Sequence, residues 1–426
     1  MTPKLSYLRG LVWAVILFLL PLPLIQALAL GLPSIYAGEA FAIQLGSIAY
    51  VWWLAAVYLA TRPRWLDRLI GLPSLYLIHG LLSLLALVLA YFHKTQTSSF
   101  GWIKRTGDWA FDLFVALMAY SLIFLAGWLT SRSRLLTRLK RQLERVFHHE
   151  LSIWLHRLNL VALALVFVHV QLIGYVTSIT SYIWLFNGYT IVVVGAYLYQ
   201  KITHVWRLPA AKLTAKRKLA PNFYEFTLQL RRPHQLAVRP GDYLFVNFPH
   251  HDGLKELHPF SVVNAVTADG QIVLAIRGDG DFTRQIQTLA VGATARLEGG
   301  YGRFAPTIQE NAHDRLVLVA GGSGVVPMLA IIAAFPTKPI TLYYTAHTAA
   351  ALIYADELRQ LAQQRPQLTV HLRVGRFPVA TTVAQAVAPH TTYLLSGPRP
   401  LGHAWTQALF QQHVAANKVY YEEFTW

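Results

Sequence analysis

The residues LVLVAGGSGVVP, at positions 316–327, indicate the fold of the second half of the chain. Its first five residues form a continuous apolar run, which is typical of a strand buried on both faces of a parallel sheet. The glycines that follow allow a sharp turn and a close approach to phosphate, and an apolar helical pattern begins directly after them. Similar apolar runs, separated by helical patterns, occur at residues 340–345, 369–374 and 393–395. We therefore predict that residues 313–426 form an α/β nucleotide-binding domain.

Short runs of alternating polarity precede this domain. Examples are residues 243–248 and 271–276, which are bounded by glycine and proline. This pattern is typical of antiparallel strands. We predict that residues 209–312 form a small antiparallel β-barrel.

The first half of the chain is far more apolar than a soluble domain. Of the 426 residues, 54% are hydrophobic and 13% are charged, whereas soluble domains average about 25% charged residues. This composition excludes a disordered chain and collagen. Residues 1–208 are predicted to form an α-helical membrane bundle of six spans, because six apolar stretches are long enough to cross a bilayer. They are residues 7–30, 40–60, 72–92, 109–130, 153–173 and 187–205.

The charge of the chain is concentrated in this apolar half. The net charge is +17, and residues 1–208 contribute +11 of it, with 17 Lys and Arg against 6 Asp and Glu. Basic loops follow the second and fourth stretches, at residues 62–68 and 132–145. The positive-inside rule then predicts an integral plasma membrane protein with both termini in the cytosol. Basic loops of a membrane domain therefore explain the positive charge better than nucleic-acid binding does.

Two features of the apolar half have alternative interpretations. The loop at residues 132–145 is interpreted as a contact with anionic membrane lipid, and docking of the soluble half is the alternative. The basic start and apolar run of the first stretch also resemble a signal peptide, although the run is longer than is typical. Pro21 and Pro23 predict a kink in that stretch.

Four histidines lie within the apolar stretches, where ionisable residues usually have a function. The third stretch contains His79 and His93, and the fifth contains His156 and His169. Both stretches run in the same direction, so the histidines form two levels, about 20 Å apart at 1.5 Å per residue. The chain has no cysteine, which excludes disulfides, Cys-bound zinc, iron–sulfur clusters and covalently attached c-type haem. Two levels of paired imidazoles fit two stacked b-type haems, each held by two histidines.

The pairing requires an irregular fifth stretch. On an ideal helix, His93 lies about 40° around the axis from His79, but His169 lies about 140° from His156. A π-bulge or a kink would bring the second pair onto one face. In one alternative, His148 or His149 replaces His156. In the other, the four histidines bond neighbouring carbonyls or line a proton path.

Three further motifs follow in the soluble half. They are HPFS at residues 258–261, RGDGDFT at 277–283 and GGYGRF at 299–304. With the paired histidines, they make the chain resemble the NADPH oxidase and ferric reductase superfamily over nearly its whole length. The soluble half is similar to a ferredoxin–NADP reductase module. The resemblance implies a haem-binding bundle followed by an FAD domain and a domain that binds NADPH.

The resemblance also implies a flavin site. In the family, the aromatic residue of HPFS packs along the isoalloxazine, the hydroxyl reaches the flavin edge near N5 and the imidazole meets the pyrophosphate. The second motif supplies backbone amides to the FAD phosphates. The implied FAD-binding residues are His258, Pro259, Phe260, Ser261, Arg277, Gly280, Phe282 and Thr283.

A nicotinamide site is implied in the same way. The glycine-rich turn resembles the dinucleotide loop of the family, and a later strand ends in a segment similar to the family's Cys-Gly-Pro, with Ser396 in place of the cysteine. The implied residues are Gly321, Gly322, Ser323, Gly324, Val325, Pro327, Ser396, Gly397 and Pro398.

The preference for NADPH depends on two positions. Arg376 resembles the arginine that binds the 2′-phosphate of NADPH, whereas His347 stands where many relatives carry another arginine. Arg376 therefore favours NADPH. NADH remains possible, because histidine binds phosphate more weakly than arginine near neutral pH. At the C-terminus, Phe424 or Trp426 is implied to cover the flavin face until nicotinamide displaces it.

The resemblance implies a transmembrane NADPH oxidase. Electrons from cytosolic NADPH would pass through FAD and two b-type haems to external oxygen and form superoxide, with no obligatory protein partner. The alternatives are a ferric or cupric reductase, a quinone-linked electron-transfer subunit, and a proton or solute transporter with regulatory nucleotide binding. The loop at residues 94–108 has no acidic cluster that would collect metal ions, which favours oxygen.

Overall fold

The chain folds into two compact units. The computed structural model describes residues 7–124, 154–266 and 268–423. One unit contains Tyr7–Pro63 and Pro73–Ile202, and the other contains Arg64–Leu72 and the residues from Thr203 onward. The second unit therefore includes a short segment from the apolar half of the sequence.

The first unit is helical throughout its described residues. Within the described residues 7–124 and 154–207, the α-helices are α1 (Tyr7–Ala14), α2 (Leu22–Gly31), α3 (Ala40–Ala60), α4 (Arg64–Ile70), α5 (Leu72–Gln96), α6 (Gly101–Phe124), α7 (Asn159–Gln171), α8 (Gly174–Thr177) and α9 (Thr180–Arg207). Of these, α4 belongs to the second unit. Tyr50 and Leu54 on α3 are almost fully buried, and the Tyr50 ring stacks on Phe186 at 4.4 Å between centroids. Helix α3 is thus a central element of this unit.

Five helices of the described residues are long and apolar enough to cross a membrane. They are Gly10–Gly31, Ser34–Ala60, Leu72–Gln96, Trp154–Gln171 and Thr180–Thr203. They overlap the first, second, third, fifth and sixth predicted stretches. The fourth stretch begins on α6, but its residues 125–130 lie outside the described residues. A bundle of six spans therefore remains a prediction.

The first apolar helix is irregular where its prolines occur. Val15–Leu19 forms a π-helical turn, in which the Leu20 amide donates to the Val15 carbonyl at 2.9 Å. Helix α2 begins just after Pro21. Because proline has no amide hydrogen and its ring crowds the preceding turn, the interruption lies where the sequence predicts a kink.

An antiparallel sheet begins the second unit. Its strands follow the order β4-β3-β6-β1-β2-β5, and the edge strands β4 and β5 meet through the bridge between Val262 and Leu274. The inward residues of the sheet form one apolar core. Closure of the sheet into a barrel remains a prediction. The strands are β1 (Ala210–Ala220), β2 (Phe223–Leu230), β3 (Tyr243–Asn247), β4 (His258–Ser261), β5 (Gln271–Arg277) and β6 (Thr294–Tyr301).

A parallel sheet of five strands follows, in the order β11-β10-β7-β8-β9. Its strands are β7 (Arg315–Gly321), β8 (Ile340–Ala346), β9 (Leu368–Val374), β10 (Thr391–Gly397) and β11 (Val419–Glu423). The remaining helices of this unit are α10 (Asp281–Ile286), α11 (Phe304–Asn311), α12 (Val325–Ala334), α13 (Ala355–Gln364), α14 (Val379–Ala386) and α15 (Arg399–Gln411).

The central strand β7 is buried on both faces. Leu316 and Leu318 pack with α12 in one apolar cluster, whereas Val317 and Val319 pack with α14 and α15 in another. Successive side chains of a strand point to opposite faces of the sheet. This is the physical reason why the strand reads as a continuous apolar run and not as an alternating one.

Candidate flavin, nicotinamide and haem sites

Two glycine-containing turns meet at the carboxyl edge of the parallel sheet. A Cβ atom at Gly324 would overlap the carbonyl of Ser396, and a Cβ atom at Gly397 would lie 3.0 Å from the Gly321 amide. The φ angle of Gly397 is +144°, which side chains rarely adopt. The turns after β7 and β10 therefore pack backbone against backbone. In open α/β sheets, ligands bind at this edge.

Ser261 and Ser396 carry the buried hydroxyls that the sequence predicts to face flavin and nicotinamide. Ser396 is fully buried, and Ser261 is 8% exposed. Within the described residues, neither hydroxyl oxygen has a hydrogen-bond partner. Buried polar atoms are nearly always paired, so an unpaired hydroxyl at each predicted position fits residues that contact a ligand.

The structure brings the two predicted flavin motifs together. The HPFS motif forms β4, in which Phe260 pairs with Leu244 of β3. The His258 and Phe282 rings lie 4.0 Å apart between centroids, and the Phe260 and Phe282 rings are stacked at 6.0 Å. Residues separated by about twenty positions in the sequence thus form one aromatic cluster.

The second flavin motif turns into helix α10. The Gly280 amide donates to the Thr283 hydroxyl at 2.8 Å, which caps the helix start. Arg277 donates to Asp279 at 2.6 Å from its Nε atom, and both side chains are exposed. Arg277 is therefore at the surface and already paired with a carboxylate.

His347 and Arg376 follow neighbouring strands. Ala346 at the end of β8 pairs with Val374 at the end of β9, and the Gly375 amide donates to the Ala346 carbonyl at 2.8 Å. His347 and Arg376 are both exposed. The sheet register places these two predicted phosphate-binding residues at the same edge as the glycine turns.

The four predicted haem-ligand histidines form two close pairs. The His79 and His156 rings lie 5.9 Å apart between centroids, and the His93 and His169 rings lie 6.3 Å apart. A metal ion lies about 2 Å from the nitrogen of each imidazole ligand, which leaves two ring centres on opposite sides of it about 6 Å apart. Both spacings fit an iron held between two histidines.

The remaining ring nitrogen of each histidine is engaged by a neighbouring helix. The Nδ1 atoms of His79 and His93 donate to carbonyls of α3, at Ala56 and Ala42 respectively, both at 2.9 Å. The Nδ1 atom of His169 donates to the Ile103 carbonyl of α6 at 2.8 Å. Metal-binding histidines usually donate their other N–H in this way, because the bond fixes the ring orientation.

The fourth histidine, His156, bonds a hydroxyl group instead of a carbonyl. Its Nδ1 atom bonds with the Ser121 hydroxyl at 3.1 Å. The irregularity that its pairing requires occurs at Leu158, where a turn separates the helical residues 154–157 from α7. The Leu158 amide bonds the Leu155 carbonyl three residues before it, at 3.0 Å. The fifth stretch thus departs from an ideal helix between its two histidines.

Two glycines give the second histidine pair its space. A Cβ atom at Gly46 would lie 2.8 Å from the Nδ1 atom of His93, and one at Gly107 would lie 3.1 Å from the His169 ring. Any side chain at Gly46 would displace His93. The absence of a Cβ atom therefore keeps both rings against the helices that hold them.

Several predicted residues lie outside the described residues. They are the candidate flavin-covering aromatics Phe424 and Trp426, the alternative ligands His148 and His149, and the basic loop at residues 132–145.

Sequence reasoning missed a buried charged cluster in the second unit. Arg68 of α4 donates from both terminal nitrogens to Asp242, at 2.7 and 2.6 Å. Burial raises the pKa of Asp242 to about 6, although Arg68 lowers it. Burial also raises the pKa of Glu422 to about 8, against the opposing effect of the Arg303 amide. In the sequence, Arg68 indicates only a basic loop, and no local signal pairs it with a residue 174 positions away.

Two models of protein families match the second half of the chain. Residues 218–324 match the model of an FAD-binding domain, and residues 318–388 match that of an oxidoreductase NAD-binding domain. The chain is 31% identical over 175 residues to methane monooxygenase component C of Methylosinus trichosporium. This match spans 38% of this chain and 50% of the relative.

Two membrane-associated yeast proteins are also similar. The plasma membrane-associated coenzyme Q6 reductase of Saccharomyces cerevisiae is 28% identical over 155 residues, which span 35% of this chain and 48% of the relative. The ferric reductase transmembrane component 3 of the same yeast is 31% identical over 103 residues, which span 22% and 14%. The chain thus spans half or less of the length of each of these three relatives. An Amycolatopsis cytochrome P450 reductase structure matches with a TM-score of 0.44 and 22% identity, over 51% of this chain and 69% of that chain.

These matches establish the chemistry of the second half. The chain contains a ferredoxin-reductase-like module that binds FAD and a nicotinamide dinucleotide, and it is an oxidoreductase that uses FAD and NAD(P)H. The apolar helices, together with the yeast relatives, indicate association with a membrane.

Proposed function

We propose that this chain is a transmembrane NADPH oxidase that reduces external oxygen to superoxide. FAD and two b-type haems would supply the redox chemistry, because flavins take two electrons from nicotinamide and haem iron changes by one. The observation that carries the proposal is the presence of two histidine pairs, with centroids 5.9 and 6.3 Å apart, in a chain that also contains a flavin reductase module.

The four histidines would hold the two irons through their Nε2 atoms. Their Nδ1 atoms are bonded to α3, α6 and Ser121, which leaves Nε2 as the ligating nitrogen and orients each ring. With two histidines holding each haem, the group would supply single-electron transfer, which favours superoxide as the product.

The reductase residues would bind and orient the two dinucleotides. Ser261 and Ser396 would present their buried hydroxyls to the flavin and the nicotinamide, respectively. Phe260 would pack against the isoalloxazine, with its ring held by Phe282. Arg376 is exposed at the carboxyl edge and would bind the 2′-phosphate of NADPH through its planar guanidinium.

A transmembrane ferric reductase is the second candidate, and the similarity to yeast ferric reductase transmembrane component 3 supports it. The two candidates share every residue named above and differ only in the acceptor. One observation argues against a metal ion as the acceptor. The Asp108 carboxylate, which could attract such an ion, is already paired with Lys94 and Lys104 at 2.9 and 2.8 Å.

Reduction of cytochrome c by the full-length protein, driven by NADPH, tests the acceptor. With saturating superoxide dismutase, we expect most of this reduction to disappear, because superoxide carries the electron to cytochrome c. The matched control replaces oxygen with ferric citrate under argon. Cytochrome c reduction that the dismutase leaves unchanged, together with rapid ferric reduction under argon, would establish the metal reductase instead.

A further inference from the structure

Helix α4 belongs to the second unit, which contains the two sheets, although apolar helices precede and follow it in the sequence. Residues Arg64–Leu72 lie in the same compact unit as the sheets. Leu66 and Ile70 are buried there, and Asp67 is fully buried. A segment that only linked two membrane helices would not need to bury a carboxylate and two aliphatic side chains.

Arg68 forms four hydrogen bonds within this unit. Two go to the carboxylate of Asp242, at 2.7 and 2.6 Å. The other two go to the carbonyls of Gly302 and Gly300, both at 2.8 Å. The planar guanidinium therefore joins β3, through the residue that precedes it, to the turn that ends β6.

The turn at residues 300–302 is shaped to receive these bonds. A Cβ atom at Gly300 would overlap the Asp242 carboxylate, and Gly302 has a φ angle of +126°. Asp67 accepts a hydrogen bond from the Gly302 amide at 3.1 Å. Two consecutive residues of α4 thus hold one glycine turn, one through its carbonyls and the other through its amide.

The same turn reaches the C-terminal strand. The Arg303 amide donates to the Glu422 carboxylate at 3.3 Å, and Arg303 itself pairs with Glu310 at 2.7 and 2.8 Å. Glu422 lies on β11 directly opposite Ser396 of β10. A continuous set of contacts therefore leads from Arg68, through the glycine turn, to the strand beside the predicted nicotinamide residue.

We propose that Arg68 is a positioning residue of the reductase, which fixes the turn at residues 300–303 and, through Glu422, aligns the strand beside Ser396 for hydride transfer from nicotinamide. The hydride would pass from nicotinamide to flavin, whereas the guanidinium of Arg68 is occupied by Asp242 and by the carbonyls of Gly300 and Gly302. The proposal rests on the flavin and nicotinamide module and not on the identity of the electron acceptor.

The test is anaerobic reduction of the bound flavin by NADPH in the full-length protein. Arg68→Ala leaves Asp242 buried without its counter-charge, which is strongly destabilising, so the double variant Arg68→Ala/Asp242→Asn is measured beside it. Arg64→Ala is the matched control, because it removes an exposed arginine from the same helix. Arg68→Lys keeps the charge but not the planar fork.

We expect the double variant to recover thermal stability and FAD content, while its flavin reduction rate stays about tenfold or more below that of the wild type. Arg68→Lys should show an intermediate rate, and Arg64→Ala should match the wild type. A purely structural role predicts that the folded double variant regains the wild-type rate. Wild-type rates and KM for NADPH in the double variant or in Arg68→Lys would overturn the proposal. Flavin reduction by NADPH can be measured even if the protein does not reduce oxygen, so this test is independent of the proposed oxidase activity.

Discussion

The flavin module and the helical unit differ in whether the polar atoms of their candidate sites are hydrogen-bonded to other residues of the protein. In the module, the hydroxyls of Ser261 and Ser396 are buried and, among the described residues, have no hydrogen-bond partner. In the helical unit, all four histidines already use Nδ1 in a bond to another residue. We expect the first arrangement for hydroxyls that contact a bound dinucleotide. The second fixes the orientation of each ring, as we expect for histidines that would bind a metal through their other nitrogen.

The largest expected effect comes from removing a ring of one histidine pair. We predict that His79→Ala and His169→Ala each lose one haem equivalent and abolish reduction of the external acceptor. Reduction of FAD by NADPH should remain, because the module is a separate compact unit. Haem and FAD contents of the purified variants give the measurement, with Ser83→Ala on α5 as control. Unchanged haem content would show that other residues bind the iron.

A smaller steric change tests whether the rings are oriented in advance. Gly46→Ala places a methyl group 2.8 Å from Nδ1 of His93, so the ring must leave its bond to the Ala42 carbonyl. We predict lower haem affinity by about 10–100-fold, which is typical for loss of a supporting contact. Gly80→Ala is the matched control, because open space surrounds that position and alanine favours a helix by about 1 kcal/mol. Equal haem retention in both variants would contradict the orienting role of α3.

Replacement of Arg376, at the carboxyl edge of the parallel sheet, should weaken the binding of NADPH but not of NADH. We predict that Arg376→Ala raises KM for NADPH about 10–100-fold and leaves KM for NADH unchanged, because a charge-assisted bond contributes about 1.5–3 kcal/mol. Steady-state kinetics with both nucleotides measure this effect. Arg373→Ala, three residues earlier on β9, is the control. Equal increases for NADPH and NADH would mean that Arg376 does not contact the 2′-phosphate.

The smallest expected effect concerns the buried charges of the module. Burial raises the pKa of Glu422 to about 8 from its ordinary value of 4.5. The folded protein therefore binds this proton more tightly, and the stability that the proton contributes is lost progressively as pH rises from 4.5 to about 8. We predict that the thermal midpoint of FAD release decreases over the upper part of this range, and that Glu422→Gln weakens this dependence. Glu423→Gln is the control, and the same pH slope in both variants would refute the assignment.

The two regions also differ in how much the sequence predicts. The turn at residues 321–324 was predictable because the strand, the glycines and the helix are consecutive. The histidine pairs could be proposed from counts along two helices, but the turn at Leu158 depends on local packing that spacing does not specify. Arg68 and Asp242 were not predictable, because an arginine in a basic loop already has a topological explanation.

The haem-to-FAD ratio of the purified protein, together with haem reduction by NADPH, distinguishes a haem-containing electron-transfer chain from a flavin reductase alone. We predict that the purified full-length protein holds two b-type haems for each FAD. Under anaerobic conditions, NADPH should reduce both haems, seen as the haem bands of a reduced-minus-oxidised spectrum. If the protein binds FAD and is reduced by NADPH but contains no haem when produced with an adequate haem supply, the four histidines are not haem ligands.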